Sequence, residues 1–222
     1  VRRFTYEEAQ EVIETGKGDY AEEILTLDTL AKQLRERRYE NGSVDFDRVE
    51  VRFDIDENGH PTGVYFKESK DANKLIEEFM LLANRTVATF VGLPKDKRKK
   101  SKAFVYRVHD MPDQERLANL SALARNFGFK VKPKGTPKEV NRSINKMLEG
   151  VKGRGEENFL STLAIRSMAK AVYTTENIGH YGLGFDYYTH FTSPIRRYPD
   201  MMVHRLLDRY LKGGRSVNVE KL

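Results

Sequence analysis

The residues with the clearest capacity for chemistry lie in one run, Thr192-Ser193-Pro194-Ile195-Arg196-Arg197. A serine followed by proline reads as a helix start, with the hydroxyl as cap and the ring at the first helical position, where its missing N–H removes no bond. On that reading a helix begins at Ser193 and runs to about Leu211. Its third helical position, where a capping box places Glu or Gln, holds Arg196, with Arg197 beside it. Each cation at the positive end of a helix dipole is unfavourable by roughly 0.3–1 kcal/mol, a mismatch that an anion in front of the helix would remove. Free N–H groups, the Ser193 hydroxyl and two guanidinium forks together describe a phosphate site. Arg196, Asp200 and His204 recur every four residues and would share one helix face, so Asp200 is expected to hold Arg196 in position. A solvated polar face is the alternative. The preceding aromatics Tyr187, Tyr188 and Phe191 count against it.

Composition bounds what such a site could serve. With 39 Lys+Arg against 33 Asp+Glu, the 222-residue chain carries a net charge of +6, compatible with a nucleic-acid ligand but too modest to identify one. The absence of cysteine excludes disulfides and thiolate metal sites and suits a reducing compartment without requiring one; a cytoplasmic location is expected. No apolar run reaches the roughly 18 residues of a membrane helix, and the first residues show no secretory pattern. Neither a membrane nor a protein partner is expected. The chain starts at Val1 without Met and reads as a fragment.

The elements that must carry the site are mainly helical. Thr5 caps a short helix within residues 4–15, and apolar Ile24, Leu27, Leu30, Ala31 and Leu34 give 21–39 a single packed face. Val49, Val51, Phe53 and Ile55 then alternate with charged residues, Asn58-Gly59 turns the chain, and 64–66 returns as the second strand of a β-hairpin. The longest helix spans 71–91, with Leu75, Phe79, Leu82, Ala83, Thr86 and Phe90 on its expected buried face. The basic run at 95–102 is either a solvated loop or an RNA contact. A buried strand follows at 103–110, then helices opened by Pro112 and by Thr136-Pro137, and one from Glu156 to Tyr173. The expected class is α+β, mainly helical with a small antiparallel sheet, forming one domain over 1–222.

The G-H-Y-G-L-G run from Gly179 to Gly184 and the Y-T-H-F-T-S-P-I-R-R-Y-P-D run from Tyr188 to Asp200 strongly resemble the catalytic domain of the ribonuclease II family of processive 3′-to-5′ exoribonucleases. The resemblance implies hydrolysis of single-stranded RNA to nucleoside 5′-monophosphates. It assigns Arg196 to the phosphate beside the scissile bond, with Ser193 and Arg197 as neighbouring RNA contacts. Glu77, in the I-E-E element, would face the active centre, though dipole complementarity and solvation also account for Glu77 and Glu78. Tyr6, in F-T-Y-E, would touch RNA near the cleaved bond or be a half-buried helix aromatic. Phe46, in S-V-D-F-D, would stack on terminal bases or pack in the core. His204 reads as a packed or capping residue before a general base. The implied cofactor is Mg²⁺, held in the family by a D-x-D-D type loop upstream of F-T-Y-E. No metal ligands are expected within this chain, since Asp54-Ile55-Asp56-Glu57 reads as turn chemistry. The chain is therefore expected to be a partial catalytic domain, inactive alone, without the cold-shock-like and S1-like modules of relatives. A non-catalytic RNA-binding protein of the same fold is the alternative.

Overall fold

Thr5 opens the first helix, α1 (Tyr6–Thr15), with a reciprocal cap. Its hydroxyl accepts the Glu8 N–H at 3.1 Å while the Glu8 carboxylate accepts the Thr5 N–H at 2.8 Å, and Gly16 ends the helix at φ 69. The computed structural model describes residues 2–44, 50–67, 69–94 and 100–222. The chain then forms α2 (Ala21–Glu40), the antiparallel hairpin β1 (Glu50–Ile55) and β2 (Pro61–Lys67), and α3 (Asp71–Gly92). Asp56 shapes the hairpin turn, its Oδ1 accepting the N–H groups of Asn58 and His60. There follow β3 (Tyr106–Val108), α4 (Gln114–Asn126), α5 (Pro137–Val151), α6 (Glu157–Ser167), β4 (Val172–Thr174) and α7 (Tyr198–Leu211).

These elements make two compact units, one of Val1–Arg35 with Phe46–Phe79, the other of Glu36–Asp45 with Met80–Leu222. In the first, Gln10 is buried and its side-chain oxygen accepts the Ala72 N–H at 2.9 Å, tying α1 to the start of α3. In the second, the two-stranded β3–β4 sheet is backed by Ala88 and Val91 of α3 and by Val203, Leu206 and Tyr210 of α7. Helix α6 packs on α4 and α5, and Leu160 and Ala164 of α6, Leu117 of α4 and Ile144 and Met147 of α5 are all buried. Each such buried leucine, isoleucine or methionine contributes roughly 1.5–3 kcal/mol.

Three local expectations change. The helix expected to run on to Tyr173 stops at Ser167, because Val172-Tyr173-Thr174 pairs with β3 instead; its β-branched and aromatic residues suit a strand. The helix expected from Pro112 starts at Gln114, where Asp113 accepts the Arg116 N–H. The buried faces of α2 and α3 are also rotated from the apolar periodicity. Leu27, Leu30, Leu82 and Phe90 are exposed, whereas Asp28, Glu78 and Asn84 are buried. Polar residues with satisfied bonds occupy interior positions, so hydrophobicity alone points to the wrong stripe.

Candidate functional site

The G-H-Y-G-L-G run is a backbone collar around β3. His109 donates its N–H to Gly179 O at 3.1 Å and its carbonyl accepts the Tyr181 N–H at 2.8 Å, while Arg107 N–H reaches Tyr188 O at 3.0 Å. The collar closes so tightly that a Cβ on Gly182 would stand 2.8 Å from His109 Nδ1, the atom that accepts the Gly182 N–H at 2.9 Å. Because that nitrogen accepts and Nε2 lies 2.9 Å from Ala169 O, His109 is the neutral Nε2–H tautomer; burial accordingly holds its pKa below the usual histidine value. His180 is pushed further, to about 3, by burial first and then by the neighbouring His109 and Arg107. Its Nδ1 accepts the Leu183 N–H at 3.3 Å. Gly184, at φ 64, completes the collar with a conformation that favours glycine.

From this collar the chain enters the arginine segment, where the structure corrects the expected helix start. Residues 194–196 form a turn in which Ser193 O accepts the N–H groups of Arg196 and Arg197, at 3.4 and 3.2 Å. Helix α7 begins only at Tyr198, with Arg197 as N-cap residue and Pro199 in its first turn. Ser193 is therefore no cap. Its own N–H donates to Asp200 Oδ2 at 2.8 Å, and the same oxygen accepts Arg197 Nη2 at 2.8 Å. Asp200, in the acidic first turn and fully buried, thus staples the turn to the helix. The arginine it holds is Arg197, not the Arg196 expected from four-residue spacing, because moving the helix start to Tyr198 puts Arg196 outside it. Arg196 is exposed and makes no ion pair among the described residues. His204 stacks on Phe191 at 4.1 Å and its Nε2 bonds Phe191 O at 2.8 Å, a packing role.

The other expected site residues belong to the first unit. Tyr6, the first residue of α1, is 44% exposed, and Glu77 is exposed on α3 beside the buried Glu78. Phe46 lies outside the described residues, as do residues 95–99 of the basic run. Lys102, at the end of that run, is structural: its ammonium donates to Gly214 O at 2.8 Å and lies over the Tyr210 ring. Among the described residues no group of three or more His, Asp and Glu side chains is placed to hold a metal ion. The described donor set therefore does not fit the Mg²⁺ implied by the resemblance.

Residues that periodicity did not single out support the arginine segment. Asn84, buried on α3, donates to Tyr188 Oη at 3.1 Å and accepts the Phe191 N–H at 2.9 Å, so it positions the segment leading into the arginines. Tyr173 Oη lies 2.7 Å from His190 Nδ1. His190 is pushed down to about 4 by burial first, then by Arg197. The apolar periodicity of α3 gave no signal for Asn84, and none marked Tyr173.

Comparison with known proteins places this arrangement. The RNB domain model matches residues 1–213. The chain is 40% identical to ribonuclease R of Aquifex aeolicus over 99% of its own length and 31% of that protein, and 37% identical to ribonuclease R of Escherichia coli over 83% and 22%. The solved structure of Mycoplasma genitalium RNase R in complex with ribose methylated single-stranded RNA matches with a TM-score of 0.81 at 27% identity, covering 94% of this chain and 32% of that one. Yeast Ssd1, a pseudonuclease, shares the fold with a TM-score of 0.70 at 21% identity. The chain spans about a third or less of the length of these relatives.

Proposed function

The chain belongs to the RNB domain family, and on that premise we propose that it supplies the phosphate-holding part of a cytoplasmic 3′-to-5′ exoribonuclease of the ribonuclease R type. Single-stranded RNA is the substrate, hydrolysed from its 3′ end to nucleoside 5′-monophosphates. The observation that carries this reading is the division of labour between adjacent arginines. Asp200 engages Arg197 and Ser193 and fixes the turn, which leaves Arg196 exposed on a rigid backbone. A guanidinium carried on that fixed turn and free of ion pairs among the described residues can bind the phosphate beside the scissile bond and offset charge as it develops there. Tyr6, Phe46 and Glu77 are proposed to act on the same substrate, Tyr6 and Phe46 as RNA contacts and Glu77 as an acidic group at the active centre. Mg²⁺ is the proposed metal, with carboxylates that lie upstream of the F-T-Y-E element in the family.

Turnover of labelled oligo(A) tests the reading in two arms. The 222 residues alone, supplied with Mg²⁺, are expected to leave the oligomer intact, and metal-dependent shortening would remove the assignment of the ligands to other sequence. Joined to the family's upstream segment, the chain is expected to degrade oligo(A) stepwise, and Arg196→Ala to slow it by about 10²–10³-fold, as for loss of a preorganised donor. RNA binding without turnover in the joined protein would favour the non-catalytic alternative instead.

A further inference from the structure

We propose that Arg107 on β3, backed by Tyr173 on β4, forms a second phosphate subsite for the RNA backbone in the same unit as Arg196; the inference rests on RNA being the ligand. The sheet register sets Arg107 directly opposite Tyr173, on the face turned away from buried Tyr106 and Val108. The guanidinium carbon lies 4.6 Å from the Tyr173 ring centroid, a cation–π contact that orients the fork. Tyr173 is itself held in place. Its hydroxyl bonds His190 Nδ1, the His190 ring meets Tyr188 edge to face at 5.7 Å, and the Tyr188 hydroxyl accepts from buried Asn84.

Among the described residues the fork has nothing to bind. Arg107 is half-buried, and its guanidinium makes no hydrogen bond or ion pair among the described residues. A planar, always charged fork in such a setting is suited to bidentate contact with phosphate. Charge points the same way. His190 lies in the field of Arg107, Arg196 and Arg197, opposed by the single carboxylate of Asp200, and that carboxylate is already bonded to Arg197. Of these three arginines, Arg107 and Arg196 have no ion pair among the described residues. A polyanion with regularly spaced phosphates offers a partner to each, whereas a single free phosphate could satisfy only one site at a time.

The salt dependence of oligo(A) binding by the 222-residue chain, followed by fluorescence anisotropy, tests this. Arg107→Gln is expected to weaken binding roughly tenfold, as for loss of a charge-assisted hydrogen bond. It should also reduce the slope of log K against log salt by about 0.7, one phosphate contact on a single strand. Arg107→Lys keeps the charge and should keep the slope, with weaker binding because the fork is lost. Thermal melting of each variant checks folding, and the lysine variant decides the matter if the glutamine variant does not fold. Wild-type slope in Arg107→Gln, with a reduced slope in Arg196→Gln, overturns the subsite and leaves the RNA reading standing. So does a reduced slope in a folded Arg107→Lys. No salt-dependent binding by the wild-type chain overturns both.

Discussion

The charged residues of the first unit and those around α7 use the same chemistry under opposite conditions. In the first unit Lys32 bridges Asp28 at 2.7 Å and Asp71 at 3.3 Å, Lys70 meets Glu14 at 3.8 Å, and Arg2 pairs with Glu8 and Asp19. Apart from the buried Asp28, every partner in these pairs is 36% or more exposed, so water screens the pairs and competes for their donors. Around α7, Asp200 is fully buried and has no water to fall back on. Its bonds to Ser193 and Arg197 therefore dictate where the backbone can go. A surface pair adjusts to the fold, whereas a buried one sets it, and that is why the exposed charge of Arg196 stands on a rigid turn.

Removing the buried carboxylate should give the largest effect. Asp200→Ala leaves Arg197 three-quarters buried without its partner and is expected to destabilise the chain by about 3–5 kcal/mol. Urea unfolding would show it as a lower midpoint at unchanged slope, and a loss below about 1 kcal/mol would erase the contrast between the regions. Arg196→Ala, one residue from the staple, should move stability by no more than about 0.5 kcal/mol while abolishing most turnover. Acid probes the collar. Below the unfolded pKa of about 6.5 the unfolded chain protonates His180, whereas the folded chain refuses that proton until about pH 3. Stability contributed by neutral His180 is thus fully present above pH 6.5 and lost as pH falls, by about 2 kcal/mol at pH 5. His190, depressed for the same primary reason, acts in the same direction. Unfolding free energies at pH 7 and pH 5 should differ accordingly in the wild type and less in His180→Gln; equal differences would place the acid sensitivity elsewhere. The smallest effect is expected for Lys70→Met, within about 0.5 kcal/mol, and a loss rivalling that of Asp200→Ala would break the comparison from the other side.

Much of this fold was legible because its signals are local. Thr5 and Thr136 announce helix starts with Glu three residues on, and both make the reciprocal cap. The alternation at Val51, Phe53 and Ile55 with Asn58-Gly59 marks a hairpin that forms as read. The same local grammar failed at Ser193-Pro194. That pair has the form of a cap, but the buried Asp200 draws the Ser193 N–H to itself and shifts the helix start to Tyr198. Tyr173 was unreadable for a related reason, since its strand exists only through pairing with residues more than sixty positions away. Periodicity likewise misplaced the inward face of α3, because buried Glu78 and Asn84 carry no apolar signal.

By itself the sequence determined the helix-rich α+β class, the caps and hairpin, and the family, through two motifs whose order and composition survive without any fold. Only the tertiary structure decided which arginine is held and which is exposed, and that Arg107 faces Tyr173 across the sheet. The reason is physical. Caps and turns depend on neighbours a few residues apart, whereas the role of a charge depends on whether water reaches it, and burial is settled by chain segments that meet only when folded.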